Sequence, residues 1–130
     1  MASIGLLGGT FNPPHLGHLI CAQEALVQLA LDRVILVPTY KPPHKEVVDD
    51  PGPEVRLELC RLAVEGDERL GVCDREVLRP GPSYTVDTLR AIHAADPGDD
   101  LTFIVGGDVA QGLPTKRIAD MLEGLEEPTS

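Results

Sequence analysis

Two histidines, His15 and His18, stand three residues apart at the predicted start of a helix and could act on a phosphate group. They follow Gly8 and Gly9, where a short apolar run ends and the backbone can come close to a ligand. Main-chain N–H groups in such a turn can point at phosphate oxygens, and the helix that begins near Gly17 adds the positive end of its dipole. Imidazoles at this spacing share one face of a helix. The pattern predicts a phosphate site whose histidines stabilise developing charge.

The histidine pair also allows two other interpretations. Histidines at this spacing are often solvent-facing residues that belong to no site. Zinc could be bound by His15, His18 and Cys21, but these residues crowd onto one helix end without a distant second pair of ligands. We therefore predict no metal bound by these side chains. The turn has neither a Walker A sequence nor the G-x-G-x-x-G pattern of dinucleotide sites.

Strands alternate with helices along the chain, and this order predicts the fold. Apolar runs at 4–7 and 34–37 flank an amphipathic helix at about 17–31, which makes a βαβ unit. The other predicted elements are helices at 54–65 and 83–95, strands at 70–73 and 101–105, a loop at 39–53 and a short final helix over 118–125. We predict one domain over residues 1–130, an α/β, Rossmann-like doubly wound parallel sheet. Ligands are expected at its switch point, beyond the carboxyl ends of the strands.

The composition indicates an acidic globular chain. A formal net charge of −10 over 130 residues argues against a nucleic-acid backbone as partner. Cys21, Cys60 and Cys73 form no C-x-x-C pair and are expected to be reduced, mostly buried thiols. No apolar run approaches the roughly 18 residues of a membrane span, and no basic segment precedes the first apolar stretch as in a signal peptide. We expect a cytoplasmic protein that binds neither nucleic acid nor membrane.

The stretch from Gly8 to His18 resembles the G-T-F-[DN]-P-x-H-x-G-H signature of the nucleotidyltransferase superfamily, and in particular the bacterial nicotinate-nucleotide adenylyltransferases. The resemblance implies the HxGH type of Rossmann-like fold. It implies transfer of AMP from ATP, with Mg²⁺, to nicotinate mononucleotide, and release of pyrophosphate. It also implies that His15 and His18 bind phosphate and stabilise the transition state. The residues implied to line the nucleotide pocket are Gly8, Gly9, Thr10 and Phe11.

Three later stretches resemble further elements of the same family. P-P-H-K, which ends at Lys45, matches an element whose lysine reaches the phosphates, although alone it could equally be a solvated loop. S-Y-T-V-D-T makes Tyr84 and Thr85 candidates for binding the pyridine carboxylate, although alone it is a helix cap. The G-G-D stretch matches an element beside the ATP ribose, with Gly106 and Asp108 as its candidates, although Asp108 could instead cap the next helix.

The resemblance runs from residue 4 to about 114 and then departs from the family pattern. Lys116 stands where the family usually has a Trp that stacks on nicotinate, and this chain has no Trp. The later I-S-S-T-x-I-R element, whose hydroxyls and Arg bind the triphosphate, is not found either. We therefore expect a domain that is incomplete at its C-terminus. Exposed sheet edges in such a domain would favour a homo-oligomer.

Three hypotheses about function follow from these observations. The leading one is adenylyl transfer from ATP to nicotinate mononucleotide in NAD biosynthesis. Phosphopantetheine is an alternative acceptor, but the G-G-T-F-N-P-P and S-Y-T stretches argue against it. The second hypothesis is a catalytically incomplete nucleotide-binding fragment of such an enzyme, and the third is the metal-binding module described above.

Overall fold

A computed structural model of the chain describes residues 2–9, 11, 13–40, 51–79, 85–104 and 115–117. The elements, in chain order, are β1 (Ser3–Gly9), α1 (Leu16–Gln28), β2 (Arg33–Pro38), α2 (Pro53–Val64), β3 (Leu70–Val72), α3 (Thr85–Ala95), β4 (Asp100–Ile104) and β5 (Thr115–Arg117). Each predicted strand and helix up to β4 is present close to its expected bounds. The predicted final helix lies outside the described residues.

The strands form one five-stranded sheet in the order β3-β2-β1-β4-β5. β1 lies at the centre and pairs in parallel with β2 on one side and with β4 on the other, so that Leu6 is opposite both Ile35 and Phe103. β3 continues the parallel pairing beyond β2. The chain therefore winds outward from β1 in one direction and then crosses to the other side, which confirms the predicted doubly wound sheet.

Alternate side chains of the strands contribute to two hydrophobic cores, one on each face of the sheet. The first core packs α1 and α2 against β1, β2 and β4, and its fully buried members include Ala22, Ala25, Val34, Leu36, Cys60 and Ile104. The second core lies under α3 and contains Leu6, Val37, Leu89 and Leu101. Two helices thus cover one face and α3 covers the other, as right-handed crossovers require.

Helix α1 ends at Gln28, earlier than the apolar spacing predicts. The N–H of Leu31 donates to the carbonyl of Leu26 at 3.1 Å, and the N–H of Ala30 donates to that of Val27 at 3.4 Å. These two bonds are those of a Schellman motif, with Ala30 at φ 51° in the position where glycine is usual. Because no glycine marks the end, the sequence gives no signal for the stop.

Strand β5 was not predicted. It is a three-residue edge strand that pairs antiparallel to β4, with Lys116 opposite Phe103. Its Thr-Lys-Arg sequence carries no apolar alternation, because an edge strand this short is held mainly by main-chain hydrogen bonds. Within the described ranges, no helix has the length and apolar character needed to cross a membrane.

Candidate active site

The candidate site begins where the central strand β1 ends and the chain turns toward α1. Gly8 and Gly9 are the last two residues of β1 and pair with Val37 and Pro38 of β2. The N–H of Thr39 then donates to the carbonyl of Gly9 at 3.1 Å, which ties the turn after β1 to the turn after β2. The turn between β1 and α1 therefore lies at the carboxyl edge of the sheet, beside its switch point, where ligands bind in doubly wound sheets.

The two histidines cap the start of α1 reciprocally. His15 is the N-cap residue, and its Nδ1 accepts the N–H of Gly17 at 3.0 Å. His18 lies one turn into the helix, and its Nδ1 accepts the N–H of His15 at 3.0 Å. Since both Nδ1 atoms act as acceptors, the proton of each neutral ring lies on Nε2. The local fold thus fixes both imidazoles in the tautomer whose Nε2 is a hydrogen-bond donor.

The two imidazole rings also contact each other in a tilted arrangement. Their centroids lie 3.9 Å apart and their planes meet at 31°. His15 is exposed and His18 is half-buried. The pair is therefore open to a ligand on the side of His15 and supported by the protein on the side of His18.

The half-buried position of His18 affects its titration. Burial, and secondarily the nearby His15, lower the pKa of His18 from its usual value of 6.5. The first turn of α1 contains no acidic residue that would raise it again. His18 is therefore neutral at pH 7 in the free protein and acts as an uncharged N–H donor until an anion arrives.

Gly17 has a steric reason to be glycine. A Cβ atom at this position would lie 2.7 Å from Cε1 and 2.9 Å from Nδ1 of the His15 ring. Any larger residue would therefore push His15 off its cap. The glycine of the H-L-G-H stretch thus gives room for the histidine that precedes it.

Arg56 is a component that sequence reasoning missed. Its side chain is fully buried, and its guanidinium donates from Nη1 to the carbonyl of Thr39 at 2.7 Å and from Nη2 to that of Tyr40 at 2.8 Å. The helix start of α2 is therefore fastened to the turn after β2. The available signal was the spacing, since Arg56 lies four and eight residues before Cys60 and Val64 on the buried face of α2.

The predicted site residues fall into three groups. The structure brings together five of them at the turn between β1 and α1: Gly8, Gly9, Phe11, His15 and His18. Thr85 is the first residue of α3, which packs on the opposite face of the sheet from α1. The remaining candidates lie outside the described residues: Thr10, Lys45, Tyr84, Gly106 and Asp108.

The described part of the chain contains no group of three His, Cys, Asp or Glu side chains that could hold a metal ion. His15, His18 and Cys21, all of them described, form no such group. The described residues at the turn offer N–H groups, which donate hydrogen bonds to the oxygens of an anion, and no carboxylates, which would suit a metal ion.

Comparison with known families and proteins agrees with this geometry. Residues 6–127 match the cytidylyltransferase-like family. A probable nicotinate-nucleotide adenylyltransferase of Shouchella clausii is 46% identical over 125 residues, which cover 96% of this chain and 65% of that protein. A protein of the same description from Halalkalibacterium halodurans is 46% identical over 123 residues, covering 94% and 59%. The resemblance seen in the sequence is confirmed.

The chain spans only part of these relatives. A further relative of the same description, from Listeria innocua, is 42% identical over 111 residues, which cover 85% of this chain and 59% of that protein. The nicotinic acid mononucleotide adenylyltransferase of Plasmodium falciparum, solved in complex with NaAD, superposes with a TM-score of 0.61 at 17% identity, over 82% of this chain and 52% of that one. At this identity the superposition bears on the fold, and it confirms the predicted Rossmann-like class.

Proposed function

This chain belongs to the cytidylyltransferase-like family, and from that premise we propose that it transfers AMP from ATP to nicotinate mononucleotide. Its relatives from Shouchella clausii and Halalkalibacterium halodurans are described as probable nicotinate-nucleotide adenylyltransferases. Their names indicate a nicotinate nucleotide and an adenylyl donor as substrates. The groups at the start of α1 therefore have to suit the phosphates of both.

The proposed reaction forms one P–O bond and breaks another. A phosphate oxygen of nicotinate mononucleotide attacks the α-phosphorus of ATP, and the bond from that phosphorus to the bridging oxygen of the β-phosphate breaks. Pyrophosphate leaves with the electron pair, and the product is nicotinate adenine dinucleotide. The second pKa of a phosphate monoester is about 6, so the nucleophile is already an anion at neutral pH. The site therefore needs to position phosphates and stabilise charge, and it needs no general base.

The single observation that carries the proposal is the orientation of the two imidazoles. Because each Nδ1 accepts a main-chain N–H, each neutral ring carries its proton on Nε2, which is left as the hydrogen-bond donor at the start of α1. Donors held in this way can stabilise the charge that develops on the α-phosphate without reorganising during the reaction. Loss of one such preorganised donor typically lowers a rate by about 10²–10³-fold. His15 is the more exposed donor and His18 the better supported one.

The remaining parts of the site are proposed from the family resemblance. We assign Lys45 to the phosphates of ATP, and Gly106 and Asp108 to its ribose. We assign Tyr84 and Thr85 to the nicotinate carboxylate, and the main chain of Gly8, Gly9, Thr10 and Phe11 to the nucleotide pocket. Mg²⁺ would arrive on the triphosphate, because the described residues at this turn offer N–H donors and the first turn of α1 has no acidic residue.

The test is pyrophosphate release from ATP and Mg²⁺ by the full 130-residue chain, with three acceptors assayed separately. We expect release with nicotinate mononucleotide and none with phosphopantetheine. The rate of release with nicotinamide mononucleotide, compared with the rate with nicotinate mononucleotide, measures how strongly the site prefers a pyridine carboxylate. Release with phosphopantetheine alone would transfer the proposal to another acceptor class.

A second candidate function is nucleotide binding without turnover. It is favoured by one observation, namely that Lys116 stands where the family usually has a Trp that stacks on nicotinate. ATP binding by calorimetry, from folded protein that releases no pyrophosphate with any acceptor, would identify this case.

A further inference from the structure

We propose that Arg56 is a positioning residue of the candidate site, which holds the turn after β2 so that this turn can contact a nucleotide substrate. The inference rests on the proposed function, because it concerns the same site. It assigns to α2 a role that neither the first motif nor the family resemblance contains.

The first argument is the geometry of the guanidinium. Arg56 donates from its two terminal nitrogens to two successive main-chain carbonyls, those of Thr39 and Tyr40, at 2.7 and 2.8 Å. A planar fork with two donors fixes both the position and the direction of the chain that it holds, which a lysine ammonium cannot do. Two successive carbonyls held by one rigid group leave this turn little freedom.

The second argument is the cost of placing the charge there. The Arg56 side chain is fully buried, and a buried cation loses its hydration shell. Helix α2 could pack on the sheet with an apolar side chain at this position, as it does at Leu57 and Cys60. An arginine at such a position is better explained by its hydrogen bonds to the turn after β2 than by a contribution to hydrophobic packing.

The third argument is the connection from this turn to the histidine pair. Thr39, whose carbonyl Arg56 holds, donates its own N–H to the carbonyl of Gly9 at 3.1 Å. Gly9 is the last residue of β1 and leads into the turn in which Phe11 contacts His18. The path from α2 to the catalytic turn therefore consists of two hydrogen-bonded steps, from Arg56 to Thr39 and from Thr39 to Gly9.

The fourth argument is the Thr39 hydroxyl. Its oxygen is buried and has no hydrogen-bond partner among the residues that the structure describes. Buried hydroxyls normally have at least one partner. Arg56 thus holds a residue whose side chain has hydrogen-bonding capacity to spare at the edge of the candidate site.

The experiment compares Arg56→Lys and Arg56→Met with a matched control on the same helix. Arg61→Met is the control, because Arg61 is exposed and lies 3.8 Å from Glu58 across one helical turn. For the Arg56 variants we expect KM for a nucleotide substrate to rise about tenfold, the effect of one lost hydrogen bond to substrate, while kcat stays within about twofold. Arg61→Met leaves both constants unchanged.

A double-mutant cycle with Thr39→Val separates positioning from stability. If Arg56 acts through Thr39, removing the hydroxyl from the Arg56→Lys variant adds little to the loss already measured, and the two effects are not additive. Additive effects would overturn the proposal. So would Arg56 variants that lower Tm while KM and kcat of the folded protein stay at the wild-type values.

The same double-mutant cycle can be measured through ATP dissociation constants, which calorimetry provides. If the wild-type chain binds ATP without turnover, the proposed function fails while the Arg56 cycle is still decided from these constants. If the wild-type chain turns over and the Arg56 variants match it, the proposed function stands and the role of Arg56 is overturned. A folded wild-type chain that neither turns over nor binds a nucleotide contradicts both.

Discussion

The ring of Phe11 lies 4.7 Å from the ring of His18 between centroids, and the two planes meet at 59°. Phe11 is 2% exposed and belongs to the core beneath α1, although its φ of 54° is one that an L-residue adopts at a cost of about 1–2 kcal/mol. Burial of a phenylalanine ring contributes more than this, about 1.5–3 kcal/mol relative to exposure. Packing of the Phe11 ring in the core therefore stabilises an unfavourable backbone conformation, and this conformation places the ring against His18.

The first prediction concerns the pKa of His18 when the Phe11 ring is replaced by a smaller side chain. Phe11→Leu should raise the pKa of His18 toward 6.5, because desolvation is the larger cause of its depression. The measurement is an NMR titration of the His18 ring protons. Phe103→Leu is the matched control, since Phe103 packs in the core on the opposite face of the sheet. A His18 pKa that stays the same in Phe11→Leu, or moves as far in the control, would contradict this account.

The second prediction concerns stability as a function of pH. The folded-state pKa of His18 lies below 6.5, the value taken for the unfolded chain, so the unfolded state binds more protons between the two. The free energy of unfolding should therefore rise with pH through this window, and His18 should contribute no pH dependence above it. Denaturant unfolding of the wild type and His18→Asn between pH 5 and 8 tests this, because the variant lacks the contribution. Parallel curves would show that His18 is not the group involved.

The third prediction separates the two nitrogens of His18. Asn places an oxygen near the position of Nδ1 and can still accept the N–H of His15, whereas Gln places an N–H near Nε2 and loses that acceptor. His18→Asn should keep the wild-type Tm and lose about 10²–10³-fold in pyrophosphate release. His18→Gln should retain more of the rate and lose more stability. The reverse order would mean that the capping bond at Nδ1, rather than the Nε2–H donor, determines activity.

The sequence predicted the first βαβ unit and the meeting of the histidines with the turn after β1. Both depend on short-range patterns, namely an apolar run, helical spacing and two residues one turn apart. It did not predict that each Nδ1 caps the helix, because that depends on side-chain rotamers. Nor did it predict the contact of Arg56 with Thr39, which joins residues 17 apart through the packing of α2 on the sheet. Long-range polar contacts of this kind leave no periodic signal.

The end of α1 gives a fourth prediction and shows a second limit of the sequence pattern. Ala30 has φ 51° in the Schellman turn, where glycine adopts the same conformation without steric cost. Ala30→Gly should relieve about 1–2 kcal/mol of strain and lose about 0.4–1 kcal/mol through the freer unfolded chain, so the free energy of unfolding should rise by about 0.5–1 kcal/mol. Ala94→Gly, at an exposed position within α3, should instead lower it by about 0.5–1 kcal/mol. A destabilising Ala30→Gly would show that the turn is not strained.

The fifth prediction concerns Gly5 in the central strand β1, on the face of the sheet that α1 and α2 cover. A Cβ atom at Gly5 would lie 2.7 Å from Cδ1 of Leu31, 2.9 Å from Cδ1 of Ile104 and 3.3 Å from Cγ2 of Val34. These atoms are side-chain ends, but Ile104 and Val34 are fully buried and have little room to move, so Gly5→Ala should overpack the core and lower the free energy of unfolding by about 1–3 kcal/mol.

Gly98→Ala is the matched control for Gly5→Ala. A Cβ atom at Gly98 would meet no atom within 4 Å, and the residue lies in the exposed turn before β4. This change should be neutral or stabilise by up to about 1 kcal/mol through the unfolded chain. Denaturant midpoints of both variants give the comparison. If Gly5→Ala proved as harmless as Gly98→Ala, Leu31 and Ile104 would have room to move, and β1 would not be closely packed beneath the candidate site.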